Sequence, residues 1–164
     1  KDLSGGSKMA RDNANRMDTN HDFAGKTLLI IDDDMNICEL LSIWLGDEFP
    51  GLNIVQTGNG EDALDLIRSG RKSRAKGQGI GQEKNRVDVI IMDVRLPGIN
   101  GLEATRRIKI ENPEIQVIIL SQYNGTEYRK KAEEAGAAAY ILKRQSAREL
   151  LPVLKRALAI RAPK

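Results

Sequence analysis

From Lys26 onward the chain alternates between two hydrophobic patterns. Apolar runs occupy 28–31, 87–92 (broken only by Asp88), 117–120 and 139–142, and a shorter one lies at 53–56. Runs of this length and make-up predict strands at 27–32, 53–56, 87–92, 117–120 and 139–142. Between them apolar residues recur at helical spacing. A first helix is expected over 34–45, with Ile37, Leu40, Leu41 and Trp44 on its recurring apolar positions. A second runs from an Asn59 cap through Ile67, turning Ala63, Leu64 and Ile67 inward. Asn100 caps a third, which Asn112-Pro113 stops. A fourth ends at Ala135-Gly136, where glycine suits a left-handed cap. A fifth opens on the capping box Ser146-Ala147-Arg148-Glu149, and Pro152 should kink it or delay its start. Five βα units with unbroken strands imply an α/β fold, a parallel sheet covered by helices on both faces.

Two polar stretches fall outside this rhythm. Residues 1–25 have no apolar periodicity and read as a disordered tail, native or vector-derived. Residues 68–86 hold four glycines and seven cations and almost nothing apolar, which reads as a flexible basic insertion. The expected domain is therefore 26–161, and 164 residues suffice for one good core.

Charge is distributed unevenly. Residues 27–67 carry nine acidic side chains and no Lys or Arg, whereas 143–164 carry seven basic residues against Glu149 alone. The net charge of +3 thus arises from the insertion and the last helix, not from a uniformly basic surface. The insertion has no aromatic residue for base stacking, so no direct nucleic-acid binding by this chain is expected. No apolar stretch reaches the length of a membrane span, and the first residues lack a signal-peptide core. One cysteine, Cys38, rules out an internal disulfide framework and fits a reducing, cytoplasmic setting. His21 is the only histidine and lies in the tail, which argues against multi-histidine metal sites.

The strand ends carry the chemistry. The first strand runs into Asp32-Asp33-Asp34, the third into Asp93, the fourth into Ser121 and the fifth into Lys143. In a parallel sheet all these ends lie on one edge, where open α/β sheets place their ligands. Carboxylates converging from two strand ends repel one another unless a cation joins them. Oxygen donors without thiolate or imidazole favour Mg²⁺ or Mn²⁺ over zinc. A carboxylate can also attack phosphorus to give an aspartyl phosphate, with Lys143 and Ser121 supplying charge and a hydrogen bond to the phosphoryl oxygens.

Residues 26–161 resemble the receiver domain of two-component response regulators. The likeness rests on Ile30-Ile31-Asp32-Asp33-Asp34, on Met92-Asp93-Val94-Arg95-Leu96-Pro97-Gly98 with Asn100-Gly101, on Ser121, and on Tyr140-Ile141-Leu142-Lys143. It implies a flavodoxin-like five-stranded sheet of order 2-1-3-4-5 and phosphorylation of Asp93 by a sensor histidine kinase or phosphotransfer protein. It further implies Mg²⁺ held directly by Asp33 and Asp93, through water by Asp32, and by the backbone carbonyl of Arg95. Ser121 and Lys143 would grip the phosphoryl group, and Tyr140 would change rotamer with Ser121. Arg95 and Tyr123 would flank the path of hydrolytic water. A downstream effector or output domain would read the altered surface, with the chain a monomer or a phosphorylation-dependent dimer. No enzymatic activity is expected beyond self-dephosphorylation.

The family commonly has a cis-proline after the lysine; here Arg144 follows Lys143. That feature, with Gly136-Ala-Ala-Ala-Tyr140, is similar to receivers joined to LuxR-type helix-turn-helix outputs. Alternative readings are a receiver fragment of a DNA-binding regulator and a degenerate pseudo-receiver. A haloacid-dehalogenase-type phosphatase ranks below both, because Asp32-Asp33-Asp34-Met35-Asn36 lacks the final Thr or Val of that pattern.

Overall fold

The computed structural model describes residues 23–75 and 86–160. Five strands, β1 (Thr27–Ile31), β2 (Asn53–Thr57), β3 (Val89–Met92), β4 (Gln116–Ser121) and β5 (Ala139–Leu142), form one sheet. All pairings are parallel, and the spatial order is β2-β1-β3-β4-β5. Helices α1 (Met35–Glu48), α2 (Gly60–Ala75), α3 (Gly101–Glu111), α4 (Thr126–Glu134) and α5 (Ser146–Ala159) follow the strands in turn. Strand alternation divides the core. Leu28 and Ile30 face one layer with α1 and α5, while Leu29 and Ile31 face the other with α2, α3 and α4. β1 is buried along its whole length, which is why it reads as a run rather than an alternation.

Most helix signals hold. Asp34 caps α1 by accepting from the Asn36 N–H, and Asn59 accepts from the Asp62 N–H at the start of α2. Asn100 accepts from both Leu102 and Glu103, each at 3.0 Å. Gly136 takes φ +91°, and the Ala137 N–H closes back on the Ala132 carbonyl at 2.9 Å.

Several expectations need correcting. The buried face of α1 is Cys38, Leu41 and Leu45; Ile37 and Trp44 are half-buried, and Leu40 is 68% exposed. Helical spacing alone could not choose between these two overlapping stripes, because both are apolar and Leu41 belongs to each. Ser146 does not form a capping box. It lies inside the first turn and donates to the Lys143 carbonyl, because a short 3₁₀ turn at Lys143–Gln145 already leads into α5. Pro152 sits inside α5 on an exposed position and does not delay its start. The expected insertion at 68–86 begins too early, since α2 continues through Ala75; 76–85 lie outside the described residues. At the other end, Phe23 packs edge-on against Phe49 with ring centroids 5.2 Å apart, so the packed chain starts before residue 26. Residues 1–22, including His21, lie outside the described residues.

Candidate functional site

At the carboxyl edge of the sheet, β1 and β3 are adjacent and in register, with Ile31 beside Met92. Asp32 and Asp93 each follow the last residue of their strand and so emerge side by side. The Asp93 N–H donates to the Ile31 carbonyl at 2.8 Å, and the Asp34 N–H donates to Asp32 Oδ1 at 3.0 Å, which orients that carboxylate. Asp32 and Asp93 are buried, at 3% and 6% exposure, and Asp33 is exposed. Oxygens of Asp32, Asp33 and Asp93 all lie within 4.8 Å of one another.

Lys143 arrives from the end of β5. Its Nζ is 2.6 Å from Asp32 Oδ2 and 3.5 Å from Asp93 Oδ2. Burial alone would depress this ammonium, but hydrogen bonds and charge from Asp32 and Asp93 more than compensate and leave it above its ordinary value. Asp93 is also shifted upward, which for a carboxyl disfavours the charged form. Burial first, and the Asp32 charge second, push its carboxyl up from 3.8 to about 6, against the pull of Lys143 and of the Arg95 N–H.

These groups open into a cavity of about 510 Å³ lined by Asp32, Asp33, Asp93, Arg95, Tyr123 and Lys143 with the first turn of α1 and Gln122. Arg95 stands beside the Tyr123 hydroxyl, which, with Asp33 and Asp93, holds its guanidinium above the ordinary value. Ser121 is fully buried and sits behind the cavity, its Oγ accepting from the Tyr123 N–H at 3.2 Å. Tyr140 is half-buried, and its hydroxyl donates to the Tyr123 carbonyl at 2.7 Å. The Lys143–Arg144 peptide is trans.

Of the residues singled out in the sequence, Asp32, Asp33, Asp93 and Lys143 converge, Arg95 joins their cavity, and Ser121 and Tyr140 reach it through Tyr123. Met35, Asn36, Ile37 and Gln122 also line it and were not anticipated. Their signal was partly available, since Gln122 directly follows the end of β4 and Met35, Asn36 and Ile37 form the first turn of the helix that leaves the Asp32–Asp34 run. Tyr128 stacking on Tyr123, at 4.7 Å and 13°, had no sequence signal.

Gly101 has a structural reason. Its N–H donates to the Val94 carbonyl at 2.9 Å, and a Cβ at this position would overlap the carbonyl oxygen of Asp93. Only glycine lets the start of α3 press against the backbone that carries Asp93.

The family model for the response regulator receiver domain matches residues 28–155. The chain belongs to that family. Among relatives, the receiver is 34% identical over 117 residues to the cyclic di-GMP phosphodiesterase of Thermotoga maritima, covering 71% of this chain and 27% of that protein. It is 27% identical to sporulation initiation phosphotransferase F of Bacillus subtilis, covering 82% and 95% of the two chains. Among solved structures it matches a LuxR-family DNA-binding response regulator from Staphylococcus aureus with TM-score 0.67 and 25% identity, over 81% and 98% of the two chains. The receiver spans about half the length, or less, of several curated relatives it matches. Among the described residues no helix is long and apolar enough to cross a membrane.

Proposed function

We propose that this receiver is a phosphorylation-driven switch with Asp93 as its phosphoacceptor. The observation that carries the reading is the meeting, in one cavity, of the buried Asp93 carboxylate with Asp32, Asp33 and the Lys143 ammonium. An Asp93 carboxylate oxygen forms the new bond to phosphorus while the donor's P–N bond breaks, its electron pair leaving with the imidazole nitrogen of a kinase or phosphotransfer partner. With acetyl phosphate a P–O bond breaks instead and acetate leaves. Poor solvation raises the reactivity of Asp93, and a carboxyl pushed up to about 6 is still mainly carboxylate at neutral pH.

The donor set fits a hard divalent cation: carboxylate oxygens gathered in one cavity, with neither His nor Cys in the cluster. Asp32, Asp33, Asp93 and the Arg95 carbonyl are the residues that would hold Mg²⁺ or Mn²⁺. Such an ion supplies charge neutralisation for the three carboxylates and the incoming phosphoryl group. Lys143 already touches Asp32 and Asp93, so it needs only to follow the new charge onto the phosphoryl oxygens. Ser121 must be drawn forward to donate to the same group. Because its Oγ holds the Tyr123 N–H, and Tyr123 holds Tyr140, that movement passes to the surface near α4 and β5. The partners in this reading are a sensor histidine kinase or phosphotransfer protein upstream and an effector or output domain downstream. Among the described residues the domain takes in Phe23 and runs to Ile160, and the acyl phosphate is lost by the receiver's own hydrolysis, slowed where Arg95 and Tyr123 cover the cavity.

Intact mass after incubation with Mg²⁺ and acetyl phosphate tests the reading. One phosphoryl group on the wild type, absent from Asp93→Asn and absent under chelation, is expected. Equal labelling of Asp93→Asn would refute Asp93 as acceptor. A second reading, that an output domain is joined to this receiver, draws on relatives named as transcriptional regulators that are about twice as long as the matched region. The flanking coding region decides it.

A further inference from the structure

Ser121 and Tyr140 hold one residue from two sides. Ser121 Oγ accepts from the Tyr123 N–H, and the Tyr140 hydroxyl donates to the Tyr123 carbonyl. The Tyr140 ring is only half-buried, and β5, which carries it, is an edge strand paired with β4 alone. Arg129 reaches this ring from α4 and is itself exposed. Its guanidinium carbon lies over the ring, 5.0 Å from the centre, and its Nη1 donates to the Tyr140 carbonyl at 3.1 Å. One rigid planar group therefore grips both the ring and the backbone of the same residue, which restrains the torsion between them. The other two cations of α4 pair along the helix, Lys130 with Glu134 and Lys131 with Glu127. Arg129 is in no ion pair among the described residues, so its charge is spent on Tyr140. The residue before it, Tyr128, stacks on Tyr123.

We propose that Arg129 is a positioning residue for phosphoryl transfer: it holds the Tyr140 ring in the orientation that keeps Ser121 back from the cavity. The inference rests on the Asp93 switch proposed above and adds to it a residue that does not line the cavity. Ser121 comes forward only as it releases the Tyr123 N–H, and the Tyr123 carbonyl is tied to the ring that Arg129 immobilises. The contacts of Arg129 thus favour the arrangement without a phosphoryl group over the one with it. A cation over a partly exposed ring has a strength that corresponds to roughly a two- to fivefold change in such an equilibrium. Removing Arg129 should therefore make the receiver easier to phosphorylate. A general charge effect has the opposite sign, because acetyl phosphate is an anion and loss of a nearby cation slows its arrival.

The test uses the full chain with Arg129→Met, Arg129→Lys, Tyr140→Phe and the double variant Arg129→Met with Tyr140→Phe. Circular dichroism checks that all are folded, and intact mass follows the rate of Mg²⁺-dependent labelling by acetyl phosphate. Arg129→Met should be labelled roughly two- to fivefold faster than wild type. Arg129→Lys, which keeps the cation and loses the planar fork, should fall between the two. In the Tyr140→Phe background Arg129→Met should add nothing, since the hydroxyl link to Tyr123 is already gone. The chain has three tyrosines, so replacing them with 3-fluorotyrosine gives a short fluorine spectrum in which the resonance missing from Tyr140→Phe belongs to Tyr140. Arg129→Met should displace or split that resonance before any phosphodonor is added. Labelling of Arg129→Met at or below the wild-type rate, the same gain with and without the Tyr140 hydroxyl, or an unmoved Tyr140 resonance would each overturn the proposal. Labelling that persists in Asp93→Asn would instead remove the Asp93 reading, and the fluorine spectrum would still decide whether Arg129 holds the ring.

Discussion

Replacing Asp93 with asparagine removes a charge and keeps the shape, so the fold should become more stable while the chemistry is lost. A carboxyl held at about 6 in the fold against 3.8 ordinarily binds its proton more tightly when folded. That difference amounts to about 3 kcal/mol once the group is fully ionised, at ~1.4 kcal/mol per tenfold change in proton affinity. The sign follows from the direction. Below 3.8 the group is neutral in both states and costs nothing; between 3.8 and 6 the penalty grows as pH rises; above 6 it is complete. The attraction of Lys143 is already contained in that figure, so a net gain of up to about 3 kcal/mol is expected at pH 7.5, or roughly 4 °C per kcal/mol in Tm. Urea titrations of both proteins in chelator, at several pH values between 4 and 8, read the difference directly. Contributions from titrating groups remote from Asp93 cancel in that comparison. Added Mg²⁺ should narrow the gap, because binding stabilises the wild type more than a variant with one ligand fewer. An asparagine variant less stable than wild type at pH 7.5, or a difference that does not shrink on acidification, would refute burial as the source of the Asp93 shift.

Three other substitutions probe the supports of the site. Lys143→Met strands the buried Asp32 and Asp93 carboxylates beside each other and should cost about 3–5 kcal/mol by urea denaturation at neutral pH, together with loss of labelling by acetyl phosphate. Gly101→Ala forces a methyl group into the Asp93 carbonyl and should cost at least ~3 kcal/mol, or else shift α3 and slow labelling sharply; wild-type stability with a wild-type labelling rate would contradict the packing described. Asn100→Ala removes the acceptor for two N–H groups at the start of α3 and should lower stability by ~1 kcal/mol in the same titration, with labelling retained.

What the chain order settles by itself is the strand set and the chemistry at its ends. Runs such as 28–31 and 117–120 are apolar without interruption because a central parallel strand is buried on both faces, so their ends could be read to within one residue. Asp32, Asp93 and Lys143 follow directly, since a parallel sheet must deliver its strand ends to one edge. Local capping was equally legible at Asp34, Asn100 and Gly136, whose partners lie within a few residues. Tertiary structure decided what sequence periodicity leaves degenerate. It chose the Cys38, Leu41 and Leu45 face of α1 over one containing Leu40, because the neighbouring sheet and α5, not the helix itself, determine which stripe is covered. It replaced the Ser146 capping box with a 3₁₀ entry, because the chain leaving β5 must turn sharply to bring Lys143 onto Asp32. It also set Tyr123 between Ser121, Tyr140 and Tyr128, contacts that span up to 17 residues and have no local signature. The protonation of Asp93 belongs in the same class: an aspartate at a strand end is ordinary until burial and a neighbouring carboxylate 61 positions away in the chain raise its proton affinity.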